Sequence, residues 1–528
     1  EDLDLDEEKG EIPKFRALYL DSLRSKNRFI KTNNLFDKFV NNFKEYKNAD
    51  IKFTKDEDKL LRPYQKDGVK WLYNLYKCGL GGILADEMGL GKSLQTIIFI
   101  RRVLEEDSNA KILIVCPTAL VYNWDNEFKK FSDDIKRSIF VGLKKERHKK
   151  LGWYEGNVYI TSYGLLREDL DIYKEMNFKV MIIDEAQNIK NPTAMLTKAV
   201  KSINSEVKLA LTGTPIENSI LELWSIFDYI MPGFLANKSK FSEKYKIGEE
   251  FDDDTNLTLS KLRSQVKPFI LRRKKNEVLK DLPDKLENNI YIDLSDEEKK
   301  IYAALVKETK EEMEELVSAG FTKNKMQILT LLTRLRQVCI DPKIIFDNFN
   351  KTSSKIEHLT DVVKEAVANG HKILLFTSFR TALNIVKDSL EKEGITSYVI
   401  DGSVSSKKRQ ELVDKFNTDD TNIFLIMLKS GGTGVNLTSA DIVIHLDLWW
   451  NPQAENQATD RAHRIGQKNT VEVIKLINKG TIEEKILDLQ AKKKILSDKL
   501  IENDGDEYKS FQNLSVDDIR ELLKFNNE

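Results

Sequence analysis

The chain has 528 residues, 41% of them hydrophobic and 32% charged. That length fits about two to four domains, and the balance is that of a highly charged globular protein, not a disordered one. A net charge of −1 supplies no global field toward nucleic acid or a membrane surface, so any nucleic-acid contact has to be local.

Residues 1–55 open on the acidic run from Glu1 to Glu8, which lacks the layout of a signal peptide. There is no initiator Met, which suggests an excised C-terminal portion of something longer. Phe36, Phe39, Val40 and Phe43 carry a modest helical period and predict a flanking helical segment. Leu61-Arg62-Pro63-Tyr64-Gln65 then precedes a helix pattern in Val69, Leu72, Leu75 and Tyr76. A glutamine can pair with both N6 and N7 of adenine. Gln65 is therefore a candidate base reader, although a surface glutamine is the simpler reading of that residue alone.

The rest of the chain is organised around the stretch from Gly82 to Ser93, Gly-Ile-Leu-Ala-Asp-Glu-Met-Gly-Leu-Gly-Lys-Ser. A short apolar run ends in a glycine-rich turn, and a helical pattern follows through Leu94, Ile97, Ile98 and Val103. That order is strand, phosphate loop, helix. Glycines at 89 and 91 let backbone N–H groups close on phosphate oxygens, and the helix N-terminus adds partial positive charge. Lys92 is placed to reach the outer phosphates and the Ser93 hydroxyl to ligate Mg²⁺. The pattern G-x-x-x-x-G-K-S/T asks for Gly at position 86, where this chain has Asp86.

Three apolar strand patterns follow, each with polar chemistry at its end. Lys111–Cys116 runs into Pro117 and Thr118, then Tyr122-Asn123-Trp124. Val158–Ile160 ends in Thr161, Ser162 and Tyr163. Val180–Ile183 ends in Asp184-Glu185-Ala186-Gln187. Two carboxylates at the end of an apolar strand are costly unless they hold a cation or a partner. Asp184 is placed to ligate Mg²⁺ through water and Glu185 to orient or activate an attacking water; a helix cap is the bland alternative for Asp184. Leu209-Ala210-Leu211 then leads into Thr212-Gly213-Thr214-Pro215. Strands alternating with helices predict a parallel α/β domain with its site at the strands' C-terminal edge.

Residues 236–355 read as charged and helical, an insertion between two α/β lobes. A second α/β series begins at Lys372–Phe379 and continues through Ser397–Gly402, Ile423–Leu428 and Ile442–Asp447. Gly431-Gly432-Thr433-Gly434 is a loop able to approach phosphate or ribose closely. The second lobe has no G-K-S/T of its own. In Gln457–Gln467, the spacing of Gln457, Arg461 and Arg464 predicts one face of a helix. Two guanidiniums on one face need an anion: either a salt-bridge ladder, or the γ-phosphate that arginine fingers stabilise. Ile482, Ile486, Leu487 and Leu489 predict a closing helix, 502–507 a loop, and 514–528 a short amphipathic end. Three widely spaced cysteines, Cys78, Cys116 and Cys339, predict a reducing compartment and no zinc or disulfide framework. No apolar run nears the ~18 residues of a membrane span.

In this order, these pieces resemble the ATPase core of the Swi/Snf-like family within helicase superfamily two. The resemblance runs from about Leu61 to Gln467. It rests on Leu61–Gln65, Asp86–Ser93, Asp184–Gln187, Leu211–Asn218, Ile373–Phe379, Leu428–Asp441 and Gln457–Gln467. Family-specific are Ala85–Ser93 (with Asp86 as the family has it), Leu211–Pro215, Phe269–Lys275, Trp449-Trp450-Asn451-Pro452 and Arg464-Ile465-Gly466-Gln467. The short protrusions and the lysine- and asparagine-rich composition resemble a prokaryotic member.

The resemblance implies two RecA-like lobes, ATP and Mg²⁺ in the cleft between them, helical protrusions and a C-terminal brace helix near 481–500. Expected boundaries are a flanking helical segment at 1–55, lobe 1 at 56–235, protrusions and linker at 236–355, lobe 2 at 356–480, and brace and tail at 481–528. It assigns nucleotide contacts to Arg62, Gln65, Gly89, Gly91, Lys92, Ser93, Leu94, Gly434 and Gln457. Metal contacts fall to Ser93 and Asp184, and catalysis to Lys92, Asp184, Glu185, Arg461 and Arg464. DNA-facing positions by the same analogy are Thr118, Thr161, Ser162, Ser378, Ser430, Thr433 and Trp449. Lys144-Lys145, Arg147, His148-Lys149-Lys150 and Lys407-Lys408-Arg409 are candidate local basic patches.

The expected function is a DNA-stimulated ATPase that translocates on double-stranded DNA and remodels protein–DNA complexes. The competing expectations are a strand-separating DNA or RNA helicase and a non-catalytic scaffold on a helicase fold. Expected partners are double-stranded DNA and a DNA-bound protein target, with no membrane and no required oligomer. The expected location is cytoplasmic: nucleoid-associated in a prokaryote, nuclear in a eukaryote.

Overall fold

The computed structural model describes residues 13–24, 31–44, 51–213, 220–245, 261–279, 283–428, 436–450 and 452–491. The chain divides into two units that adjoin in sequence at Lys280 and Asp281. Each is built on a parallel sheet flanked by helices, the α/β class expected.

The first unit holds seven strands among the described residues: β1 Gly82–Leu84, β2 Ile112–Cys116, β3 Arg137–Ile139, β4 Val158–Ser162, β5 Phe178–Asp184, β6 Ser205–Leu211 and β7 Ile270–Leu271. Their order is β3-β4-β2-β5-β6-β1-β7, and every pairing is parallel. β2 and β4 are buried at every residue. This is why they read as continuous apolar runs without alternation: helices cover both faces of a parallel sheet. Because all seven run the same way, the ends of β1, β2, β4, β5 and β6 share one edge, where the polar residues of each motif emerge.

The second unit has β8 Lys285–Ile292, β9 Ile373–Thr377, β10 Ser397–Ile400, β11 Ile423–Met427, β12 Ile442–His445 and β13 Val471–Asn478, in the order β10-β11-β9-β12-β13-β8. All pairings are again parallel. On β9, Ile373 and Leu375 enter one hydrophobic cluster with Leu359, Val363 and Val386. Leu374 and Phe376 enter another with Val413, Phe416 and Ala458. That is the two-residue strand period splitting one strand between two helical layers. The helices Asp296–Ser318 and Phe321–Ile340 build a third cluster of Tyr302, Leu305, Leu332 and Leu335, and Ile482 and Ile486 of the helix at 482–491 close it.

Three expectations change. The segment 236–355 is not only helical: it contributes β7 to the first sheet and β8 to the second. β7 has two residues, too few for any period, and β8 is an edge strand whose first five residues are exposed, so it carries no buried-strand pattern. The N-terminal segment does more than flank. Val40 and Phe43 of the helix Asn34–Lys44 are buried in the core of the first unit, where Phe43 packs on Phe269 at 6.0 Å between ring centroids. The third change concerns Gln457, Arg461 and Arg464, which do not share a helix face. The helix Pro452–Thr459 ends before both arginines, which sit in the turns that follow. Gln467 fixes those turns, donating through Nε2 to the carbonyls of Ala440 (2.8 Å) and Ala462 (3.2 Å). Residues 492–528, with the predicted loop and amphipathic end, lie outside the described residues.

Candidate active site

The phosphate loop leaves β1 and ends where the helix Lys92–Glu106 begins. Gly89 and Gly91 have φ of 85° and 77°, left-handed values that glycine adopts without penalty. A Cβ at Gly91 would also stand 2.5 Å from Gln65 Nε2 and would have to displace that amide. Lys92 is the first residue of the helix, and its Nζ donates to the carbonyls of Asp86 at 2.6 Å and Glu87 at 3.4 Å. Ser93 is half-buried beside it and Leu94 is buried. Arg62 stands at the N-cap of the helix Pro63–Cys78. Gln65 Nε2 donates to Leu90 O at 3.1 Å, and Gln65 Oε1 accepts from Arg62 N–H at 2.9 Å. So the glutamine is tied to the loop itself, as is Tyr64, whose hydroxyl donates to the same carbonyl at 3.1 Å.

Asp86 is wholly buried, and the loop is built on it. Arg273 pairs with it through Nε at 2.8 Å and again through Nη2. Arg273 Nη2 also donates to Gln95 Oε1 at 2.8 Å, and Gln95 Nε2 donates to Asp86 Oδ2 at 3.1 Å. Two backbone bonds run alongside: Ala85 N–H to Leu271 O at 2.7 Å and Glu87 N–H to Arg273 O at 3.0 Å. The stretch Phe269–Lys275 is therefore the brace of the phosphate loop. Sequence reasoning named that stretch without a role for it; an arginine pair 187 positions from an aspartate leaves no local signal.

Asp184 ends β5 with Glu185 next to it. Glu185 has φ 52°, a left-handed conformation costly to a residue with a Cβ and typical of strained functional positions. Burial first, and then the Glu185 carboxylate, push the Asp184 carboxyl up to about 7, against the Trp124 N–H and the Lys92 charge. A bound cation would act in the opposite direction. Trp124 Nε1–H donates to Asp184 Oδ2 at 2.9 Å and Glu185 N–H to Asp184 Oδ1 at 2.9 Å. Gln187 Nε2 donates to Glu185 Oε2 at 2.7 Å, and Thr212 Oγ1 donates to Gln187 Oε1 at 3.0 Å. Gly213 faces the phosphate loop: a Cβ there would lie 3.0 Å from Met88 Cγ and 4.0 Å from Lys92 Nζ.

This donor set fits a magnesium nucleotide. Hydroxyl and carboxylate oxygens suit a hard cation, which completes its shell with phosphate oxygens and water. Among the described residues no group of three or more His, Cys, Asp or Glu forms a cage for a metal; Ser93 and Asp184 are the residues that could hold one beside the phosphate loop.

In the second unit Arg461 is buried and Arg464 and Gln457 are half-buried. A larger cluster surrounds Arg336, which the sequence reading did not single out. Its Nη2 donates to Asp447 Oδ2 (2.6 Å), Leu448 O (2.7 Å) and Ser378 Oγ (3.2 Å). Its guanidinium lies over Phe379, Trp449 and Trp450 at 5.1, 4.9 and 5.5 Å from their centroids.

The expected DNA-facing set divides. Thr118 is exposed where β2 ends, and Ser378 and Trp449 are half-buried at the edge of the second sheet. Thr161 and Ser162 are buried, a correction to the expected surface pair. Thr161 Oγ1 donates to Phe140 O at 3.2 Å, and Ser162 caps the helix Tyr163–Glu168. Ser430, Thr433 and Gly434 lie outside the described residues, as do Thr214, Pro215 and Asn451. The basic runs divide too. Arg147 is buried on Asp169 (2.6 Å) and Glu168 (2.9 Å), leaving Lys144, Lys145 and Lys149 exposed. Arg409 is buried beside exposed Lys407 and Lys408. No helix among the described residues is long and apolar enough to cross a membrane.

The sequence pattern of the SNF2-related domain matches residues 64–344, more than half the chain, and that of the helicase conserved C-terminal domain matches 354–466. An uncharacterized ATP-dependent helicase of Mycoplasma pneumoniae is 38% identical over 95% of this chain and 48% of its own length. The putative ATP-dependent helicase/translocase YwqA of Bacillus subtilis is 37% identical over 88% of this chain and 50% of its own. The chain thus spans about half the length of the curated relatives it matches. Among solved structures, the Sulfolobus solfataricus SWI2/SNF2 ATPase core in complex with double-stranded DNA is 36% identical, covering 88% of this chain and 97% of that one at a TM-score of 0.42.

Proposed function

The chain belongs to the family defined by the SNF2-related domain, and on that premise we propose that it is an ATP-dependent translocase on double-stranded DNA that remodels protein–DNA complexes. The observation that carries the reading is the shared edge of the first sheet. There Lys92 at a helix N-terminus, a phosphate loop braced by Arg273, and the Asp184–Glu185 pair come from three segments of sequence.

In this reading Lys92 leaves the loop carbonyls for the outer phosphates, and the N–H groups of the loop and of the helix start receive the remaining oxygens. Ser93 and Asp184 hold the cation, which when bound neutralises charge on the β- and γ-phosphates. Glu185, oriented by Gln187, positions the attacking water and takes its proton. Arg62 and Gln65 support the base, and Leu94 packs beneath the nucleotide. Arg461 and Arg464 are the proposed stabilisers of charge developing in the transition state, and Gly434 and Gln457 are further proposed nucleotide contacts. Thr118, Ser378, Ser430, Thr433 and Trp449 are the proposed DNA contacts. Contacts to phosphate carry no sequence information, so binding is not sequence-specific and weakens with salt.

Strand separation is the competing activity. A triplex-forming third strand displaced by ATP, assayed beside a tailed duplex, distinguishes the two. Third-strand release with the duplex left intact supports translocation; robust release of a duplex strand contradicts it.

A further inference from the structure

Trp124 has no part in the mechanism above, yet it holds one of that mechanism's central groups. It lies on the helix Val121–Phe131 and is 1% exposed. A buried indole usually finds a partner for its N–H. Here that partner is the carboxylate of Asp184, 60 residues away, at 2.9 Å from Oδ2. The other oxygen, Oδ1, accepts the Glu185 N–H at 2.9 Å, and the Asp184 carbonyl accepts the Tyr163 hydroxyl at 2.7 Å. Indole N–H can only donate, so it favours the ionised carboxylate and holds that group in one orientation. Phe128, one turn further along the helix and wholly buried, lies against the indole with centroids 6.3 Å apart. The ring therefore cannot swing away without opening the core.

We propose that Trp124 is a positioning residue for the divalent cation: it presents the Asp184 carboxylate to Mg²⁺ in a preset orientation. This rests on the reading of Asp184 as the metal ligand. A group that orients a ligand from behind typically changes metal affinity 10- to 100-fold when removed. Phenylalanine at 124 keeps most of the packing and deletes the donor.

The test is a magnesium titration of binding by fluorescently labelled ADP, on the full chain, for wild type, Trp124→Phe and Asp184→Asn. The expected result is a rise of about tenfold in half-saturating Mg²⁺ for Trp124→Phe, with metal-free nucleotide affinity unchanged. A merely structural tryptophan would shift both affinities together or neither. If Trp124→Phe matches wild type while Asp184→Asn loses the magnesium dependence, the proposal is overturned. If Asp184→Asn leaves the dependence intact, the reading of Asp184 has failed instead, and the proposal goes with it. Should Trp124→Phe not fold, wild type labelled with ¹⁵N at its six tryptophans gives the same answer. One indole N–H resonance moves when Mg²⁺ is added to the ADP-bound protein; no movement in any of them overturns the proposal.

Discussion

Asp86 shows how one residue can be correct and still unreadable. In the chain it stands where the general phosphate-loop pattern has glycine. In the fold it is the buried counter-ion of Arg273 and the acceptor for Gln95. Removing one member of a buried pair leaves an uncompensated charge and costs about 3–5 kcal/mol, whereas replacing both by apolar groups is often neutral. Arg273→Met should therefore lower the unfolding free energy of the first unit, measured in urea, by about 3–5 kcal/mol, and Asp86→Leu with Arg273→Met should recover most of it. Equal losses in the single and double variants would mean that the pair contributes nothing as a pair. The placement of Lys92, Ser93, Asp184 and Glu185 at the strand-end edge was legible because each sits within a few residues of a strand end. Trp124 and Arg336 were not, because their partners are 60 and 111 positions away. Thr161 was misread because a hydroxyl at the end of a strand looks the same in sequence whether it faces solvent or the Phe140 carbonyl.

Among the elements, long apolar strands were legible and short or edge strands were not. β2 and β5 announce themselves by burial on both faces. β7 and β8 take their place in a sheet from their partners rather than from their own sequence. The helix Pro452–Thr459 was extended too far in the sequence reading because i, i+4, i+7 spacing holds in any stretch that happens to carry it. At the end of β12, His445 is fully buried, stacked on Phe376 and in contact with Thr459 Oγ1 at 3.1 Å. Burial, reinforced by the Lys475 charge and opposed by Asp447 and Glu287, lowers its pKa to about 3. The unfolded chain takes up this proton near 6.5 and the fold refuses it until about 3. Stability from this group is therefore present above 6.5 and falls with pH toward 3, by at most about 1.4 kcal/mol per pH unit. Between pH 6.5 and pH 5, wild type should lose about 1–2 kcal/mol more than His445→Gln in urea unfolding. Parallel profiles would show that His445 is not the source.

For the whole molecule, the parallel α/β plan was legible from strand–helix alternation, and the family from the order of its motifs. What was not legible is how far the first unit reaches: the helices at 17–44 pack into its core upstream of the family match, and β7 joins it from beyond 236. The central claim is that duplex DNA drives this ATPase. The direct measurement is steady-state ATP hydrolysis with no nucleic acid, with single-stranded DNA, with duplex DNA and with duplex RNA, at low and high salt, against a Lys92→Ala background. Strong stimulation by duplex DNA that fades at high salt, with no turnover by Lys92→Ala, is the predicted result. Stimulation by single strands or RNA alone, or turnover by Lys92→Ala near the wild-type rate, would contradict it.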